Sequence, residues 1–199
     1  MRSAFDRLIS WTGLALAAVL LMAGGLLTWA NTFIDNQVHD QLSMQGITMP
    51  EGEALASLPK ADANALKEFA GSPLDTGPEA RAFADHYILV HMNAASDGQT
   101  YEEVSGQFVG LSDEDKASAD GQALGQLRQT LFMGDTLRGL LLYGYAFATM
   151  GTIAGIAAIG SFAGGGVLLL LAGLGLWHAR KVGPVSERPV EARPVPQPV

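Results

Sequence analysis

Cysteine is absent from this chain of 199 residues. That excludes disulfides, thiolate zinc sites, cysteine nucleophiles and cysteine-ligated iron–sulfur clusters. Charge is also scarce: 16% of the residues are Asp, Glu, Lys or Arg, against about 25% in an average globular chain. Positive charge is scarcest in the middle, where residues 31–135 hold 17 carboxylates and only 5 Lys or Arg. A nucleic-acid binder neutralises phosphates with cations, so this balance leaves no nucleic-acid partner to expect. The usual catalytic fingerprints are missing too. No serine sits in a G-x-S-x-G context, and there is no dinucleotide fingerprint. Gly164-Gly165-Gly166 lacks the following Lys-Ser/Thr of a phosphate cradle. No motif implies a cofactor.

What the chain does have is apolar residues, 48% of the total, gathered into two uncharged blocks. Leu8–Ala30 spans 23 residues. As a helix it would measure roughly 35 Å, enough for a hydrocarbon core of about 30 Å. The run exceeds the usual h-region of about 7–15 residues, so an uncleaved anchor is expected. A signal peptide cut after Thr28-Trp29-Ala30 is the alternative. Arg2 and Arg7 precede the block, and no Lys or Arg follows until Lys60. The positive-inside rule puts the N-terminus in the cytoplasm and the acidic region outside.

The second block, Gly139–Trp177, would make a helix of about 58 Å, too long for one straight crossing. Asp135 and Arg138 are spaced to pair at its head, and Gly139–Ile159 alone is long enough to span. The block is then either one long helix kinked at Gly160–Gly166 or a hairpin. Arg180 and Lys181 favour a cytoplasmic tail and two crossings, whereas length favours three; two are expected. Pro184, Pro189, Pro194, Pro196 and Pro198 make the tail irregular or polyproline II. The expected architecture is an all-α membrane protein. Residues 1–7 form a cytoplasmic N-terminus and 8–30 the first transmembrane helix. Residues 31–135 form a small acidic extracytoplasmic helical domain, 139–177 the second hydrophobic block and 178–199 the Pro-rich tail.

Four helix starts are legible in the domain. Asp62 precedes Leu66 and Phe69, with Gly71 as a stop. Thr76-Gly77-Pro78-Glu79 is a capping box with proline in the first turn, opening a helix with Ala80, Phe83, Ala84, Tyr87 and His91 on one face. Thr100-Tyr101-Glu102-Glu103 is a second box after an Asp97-Gly98 turn. Ser112-Asp113-Glu114-Asp115 opens a fourth helix with three acids in its first turn. Leu124, Leu127 and Leu131 keep helical spacing and no proline intervenes, so one helix is expected from Ser112 into the second block.

Three candidate sites follow. His86 and His91, with Asp85, are the metal candidates, but their i,i+5 spacing is not that of a zinc helix and no third ligand has a motif spacing; His91 reads more naturally as a hydrogen-bonded core histidine. His39 and His178 read as solvent or interface residues. Asp113-x-Asp115 with Asp120-Gly121 fails as a calcium loop, because Ala117 and Ser118 stand where an oxygen ligand and glycine belong. Gly144, Ala148, Gly151 and Gly155 line one helix face, and small residues let helices approach closely in lipid. That face packs either against the chain's own first helix near Gly24 and Gly25 or against another membrane protein or a second copy.

Ser96-Asp97-Gly98-Gln99-Thr100-Tyr101-Glu102-Glu103-Val104, with His91 upstream and a Gly/Ala-rich apolar helix downstream, resembles a group of small actinobacterial membrane proteins. The likeness covers residues 10–160. It implies an N-terminal anchor, a short helical extracytoplasmic domain and a C-terminal apolar helix. Some members carry the label of aromatic ring-opening dioxygenase. Such enzymes hold iron with two His and a carboxylate, and no such set is spaced convincingly here. Size and topology also resemble small accessory subunits of actinobacterial respiratory supercomplexes. The expected function is a non-enzymatic integral protein of the cell membrane, an interaction or accessory subunit of a larger envelope complex. Its expected partners are membrane proteins, a second copy and membrane lipid. A membrane-anchored sensor or transport accessory, and a metal-dependent oxygenase using His86 and His91, are the alternatives.

Overall fold

A computed structural model describes residues 2–181; the five tail prolines lie outside the described residues. The described chain is all-α. Two long apolar helices flank a small helical middle region, with one antiparallel bridge between Thr48 and Pro73. The first long helix, α1 (Arg2–Ser43), meets no proline, and it continues past Ala30 through thirteen further, largely polar residues. Five short elements come next: α2 (Gly52–Ala56), α3 (Lys60–Leu66), a 3-10 turn (Lys67–Phe69), α4 (Gly77–Phe83) and a π-turn (Ala84–Ile88). After them come α5 (Leu89–Ser96), α6 (Tyr101–Gly110) and α7 (Asp113–Ala117), and then the second long helix, α8 (Ala119–Lys181).

The caps at Thr100 and Ser112 form as their sequences require. Each hydroxyl accepts the N–H three residues on, and Asp97 takes a left-handed φ of 52° before Gly98. α3 starts earlier than expected. Pro59, not Asp62, holds the cap position, and Asp62 is drawn into a contact with His86 instead. Gly71 adopts a φ of +73° just after the 3-10 turn.

The largest departure from expectation is at Ser118. The helix begun at Ser112 stops at Ala117, and Ser118 is extended (ψ 164°). Its hydroxyl accepts the Gly121 N–H at 3.1 Å and so caps a new helix. The Asp115 carbonyl occupies the space a Cβ on residue 121 would need, so the break depends on glycine there. α8 then runs unbroken through Gly160–Gly166, and no hairpin forms. Each glycine costs about 1 kcal/mol relative to Ala. The run nevertheless contains no proline, Asn or Asp to build a turn, and opening the ladder would strand backbone polar groups among apolar side chains.

The described residues divide into two compact units, 2–26 with 157–181 and 27–156. In the first, α1 and α8 run antiparallel with small residues at the seam. A Cβ on Gly13 would lie 3.4 Å from Ala172, one on Gly165 3.1 Å from Leu21, and one on Gly24 3.0 Å from the Phe162 ring. Ala17, Ala158, Ala172 and Ala179 are buried there. Large side chains point outward instead: Trp11 is 65% exposed and Leu170 70%.

The second unit has a core of Leu42, Met49, Leu58, Leu66, Leu74, Ala80, Phe83 and Leu141. Val104, Met92 and Leu131 form a smaller cluster under α6. Segments 47–49 and 72–74 are tied by Met49 N–H to Ser72 O and Leu74 N–H to Ile47 O, both 2.9 Å.

Candidate functional site

The small-residue face of α8 lies inside the second unit and is occupied by the chain itself. A Cβ on Gly144 would lie 3.6 Å from Leu42, one on Gly151 3.1 Å from Ile34 and one on Gly155 3.2 Å from Asn31. Asn31 Nδ2 donates to the Gly151 carbonyl at 2.9 Å. Ala148 fills the space beside Gly77. Of the two packing alternatives, the described residues form the intramolecular one, with a corrected address: the stripe meets Asn31, Ile34 and Leu42, whereas Gly24 faces Phe162 and Gly25 has nothing within 4 Å.

The segment just before Gly77 is held by the carboxylate of Glu79, a residue 8% exposed. It accepts from Ser72 Oγ (2.8 Å), the Asp75 and Thr76 N–H groups (3.1 and 3.0 Å) and Thr76 Oγ1 (2.8 Å). Burial alone would raise its pKa. The hydrogen bonds from Asp75, Ser72 and Thr76 outweigh burial and hold it below the ordinary 4.5. On α6 the exposed Glu103 carboxyl is lowered by the Thr100 N–H and hydroxyl.

Two arginines fasten α4 and the π-turn to α8. Arg138 Nε donates to the Ala84 carbonyl at 3.0 Å, and its Nη2 pairs with Asp85 at 3.2 Å. The anticipated Asp135–Arg138 pair forms as the longer contact, 3.8 Å. A π-turn disrupts the regular i→i−4 ladder, and Arg138 supplies a donor to the carbonyl where it begins. Arg81 donates to the Tyr145 hydroxyl at 2.9 Å, lies 5.0 Å over its ring and approaches Asp85 at 3.8 Å.

These contacts separate the metal candidates. Asp85 is committed to Arg138 and Arg81. His86 Nδ1 lies 2.8 Å from Asp62 Oδ1. His91 Nδ1 meets the Tyr87 carbonyl at 2.8 Å, and its ring ends a stack running Phe83–Tyr87–His91 with centroids 4.8 and 4.4 Å apart. His91 is exposed, not a core histidine, because the stack lifts it past the edge of the buried face. Among the described residues no group of three His, Asp or Glu side chains could hold a metal ion. His39 contacts Asp75 at 3.7 Å, and the exposed His178 borders a cavity that also holds Asp6 and Ser10.

The feature that sequence reasoning missed is a groove of about 490 Å³ between the polar end of α1 and the start of the apolar block of α8. Gln37 and Gln41 stand one helical turn apart on the α1 side, among Phe33, Ile34, Val38 and Leu42, and Gln45 joins them from the turn that follows α1. Leu140, Tyr143, Phe147 and Met150 form the α8 side. No charged residue lines it. The three amides are exposed and make no side-chain hydrogen bond among the described residues. The i,i+4 spacing of Gln37 and Gln41 is visible in the sequence, but it means something only once α1 is known to continue beyond Ala30. Comparison with family models, with curated proteins and with solved structures finds no match to this chain.

Proposed function

We propose that this protein is a non-enzymatic integral membrane protein, crossing the bilayer twice and holding an acidic helical domain outside the cell as an accessory or interaction subunit. The observation that carries the reading is the outward-facing surface of the first unit. Trp11, Leu16, Val19, Met22 and Leu26 on α1, with Ile159, Val167, Leu170 and Leu174 on α8, are all at least half exposed while alanines and glycines fill the seam. In water such a belt would be a severe apolar patch; in lipid it is the expected surface, with small residues at the helix interface. Lys181 lies 3.9 Å over the Trp177 ring, a pairing suited to the membrane–water boundary.

This reading also accommodates the length of the second block. Residues 157–177 share a unit with α1 up to Leu26, and 21 residues suffice for one crossing. Residues 139–156 share the other unit with residues 27–138.

The absence of cysteine makes the test direct. Single-cysteine variants Gln107→Cys on the exposed face of α6 and Lys181→Cys at the end of α8 are treated on intact cells with a membrane-impermeant maleimide. Labelling of position 107 and protection of position 181 are expected; the reverse pattern overturns the topology. Affinity purification from native membranes after gentle solubilisation tests the accessory role, which fails if the chain is recovered alone.

A further inference from the structure

The groove between α1 and α8 rests on the membrane reading and extends it. Phe33 lies three residues beyond Ala30 and Gln41 eleven, both on α1, so the α1 wall rises from about 5 to about 16 Å past the end of the apolar run. A headgroup layer is only about 5–8 Å deep on each side. The groove therefore begins among lipid headgroups and climbs clear of them, yet its α8 wall stays apolar. Tyr143 is 66% exposed and Phe147 52%.

The two walls demand different things of an occupant. Aromatic faces on one side suit flat or ring-shaped apolar C–H surfaces. On the other, the amides of Gln37 and Gln41 and that of Gln45 in the following turn offer donors and acceptors, and none is engaged by the protein. A bare acyl chain would leave the amides unused. A phosphate-bearing headgroup would find no cation in the lining, while Asp35 and Asp40 stand on the same stretch of α1. A neutral sugar satisfies both walls, since its ring presents C–H faces and its hydroxyls both donate and accept.

We propose that this groove binds the uncharged saccharide headgroup of a membrane glycolipid, whose acyl chains remain in the outer leaflet. Its volume falls within the roughly 300–1,000 Å³ of small-molecule sites. Phe33, Tyr143 and Phe147 supply the stacking surface, and Gln37, Gln41 and Gln45 read the hydroxyls.

The full chain is reconstituted in phosphatidylcholine vesicles carrying equal small amounts of diglucosyl-diacylglycerol and phosphatidylglycerol. Lipid retained after transfer to mild detergent is then measured by native mass spectrometry. The glycolipid is expected to be retained about tenfold over phosphatidylglycerol. The triple change of Gln37, Gln41 and Gln45 to Ala should abolish the preference, and so should Phe147→Ala. All three glutamines are exposed and unbonded in the protein, so their loss leaves folding intact. Equal retention of both lipids, a preference that survives the triple change, or retention of neither lipid overturns the assignment. So does efficient cross-linking of two copies through Tyr143→Cys in the presence of the glycolipid, which would place a second chain in the groove. A chain that fails to float with the vesicles at all defeats the membrane reading itself, and that outcome is scored before any lipid preference.

Discussion

Residues 139–156 and 157–177 of α8 are equally free of charge and similarly rich in glycine and alanine, but they have different company. The later stretch pairs with residues 10–24 of α1, where both sides of the seam are apolar or small. The earlier one pairs with Asn31, Ile34 and Leu42, lies beside Gly77 and holds Arg81 through Tyr145. Composition alone makes the two stretches one over-long membrane span. The neighbour on α1 divides them, because a helix bearing Asp35, Asn36, His39 and Asp40 is costly to place in hydrocarbon.

The strongest way to break the distinction is to overfill the seam of the second unit. Gly151 and Gly155 leave only 3.1–3.2 Å for a Cβ against Ile34 and Asn31. Gly151→Leu with Gly155→Leu should destabilise the protein by about 4 kcal/mol, each overpacked residue costing roughly 1–3 kcal/mol. Gly160→Leu, with nothing within 4 Å, should be nearly neutral. Thermal unfolding in a mild detergent reads both. If Gly160→Leu were as harmful as the double change, the surface at Gly160 would be an interface and the seam would lose its special standing.

Arg138→Ala comes next. It removes one donor from the Ala84 carbonyl, which keeps the Leu89 N–H, and the closer of the two arginines from Asp85, and a loss of about 2 kcal/mol is expected. Asp135→Ala, which removes only the longer 3.8 Å contact, should cost about 0.5 kcal/mol. Equal losses would mean that Arg138 acts through the pair seen in the sequence and not through the π-turn.

That contrast marks what sequence could reach. The all-α class, the two apolar blocks, the Thr100 box and the Ser112 cap are set within a few residues, and side chains of known geometry decide them. The π-turn meets a guanidinium 54 positions away. The stop at Ala117 depends on Ser118 outcompeting helix continuation, a choice that a serine leaves open until the Asp115 carbonyl and Gly121 are packed together. The small-residue stripe was legible as a packing face, though its partner was not, because register is a property of two helices. The amide-lined groove needed both helices in place, and His86 gave no hint that it would pair with Asp62, although His91 and Tyr87 were legible as neighbours on one helix face.

Acid should affect the two units differently. The Glu79 carboxylate has its pKa held below 4.5 in the folded protein. Its contribution is complete above the unfolded value and is lost as pH falls from about 4.5 toward the depressed folded value. Glu79→Gln keeps the shape but gives up the charge-assisted acceptor, so it should cost about 1–2 kcal/mol at neutral pH. It should also flatten the acid limb of a stability–pH curve. An unchanged limb would assign the acid response to other carboxylates.

The smallest effect tests the boundary between the stretches most finely. Asn31 follows directly on the uncharged run, and its amide crosses to the Gly151 carbonyl at 2.9 Å. A hydrogen bond between helices in lipid is worth about 0.6 kcal/mol on average, whereas one whose loss strands a buried group in a water-soluble core costs about 1–3 kcal/mol. Asn31 is partly exposed at the edge of the second unit, so Asn31→Ala should fall at the low end, near 0.6 kcal/mol. Asn31→Leu should be worse than Asn31→Ala, because the added branch meets the face left open by Gly155. If Leu were instead the more stable of the two, residue 31 would lie within hydrocarbon, and the line between anchor and domain would move outward along both helices.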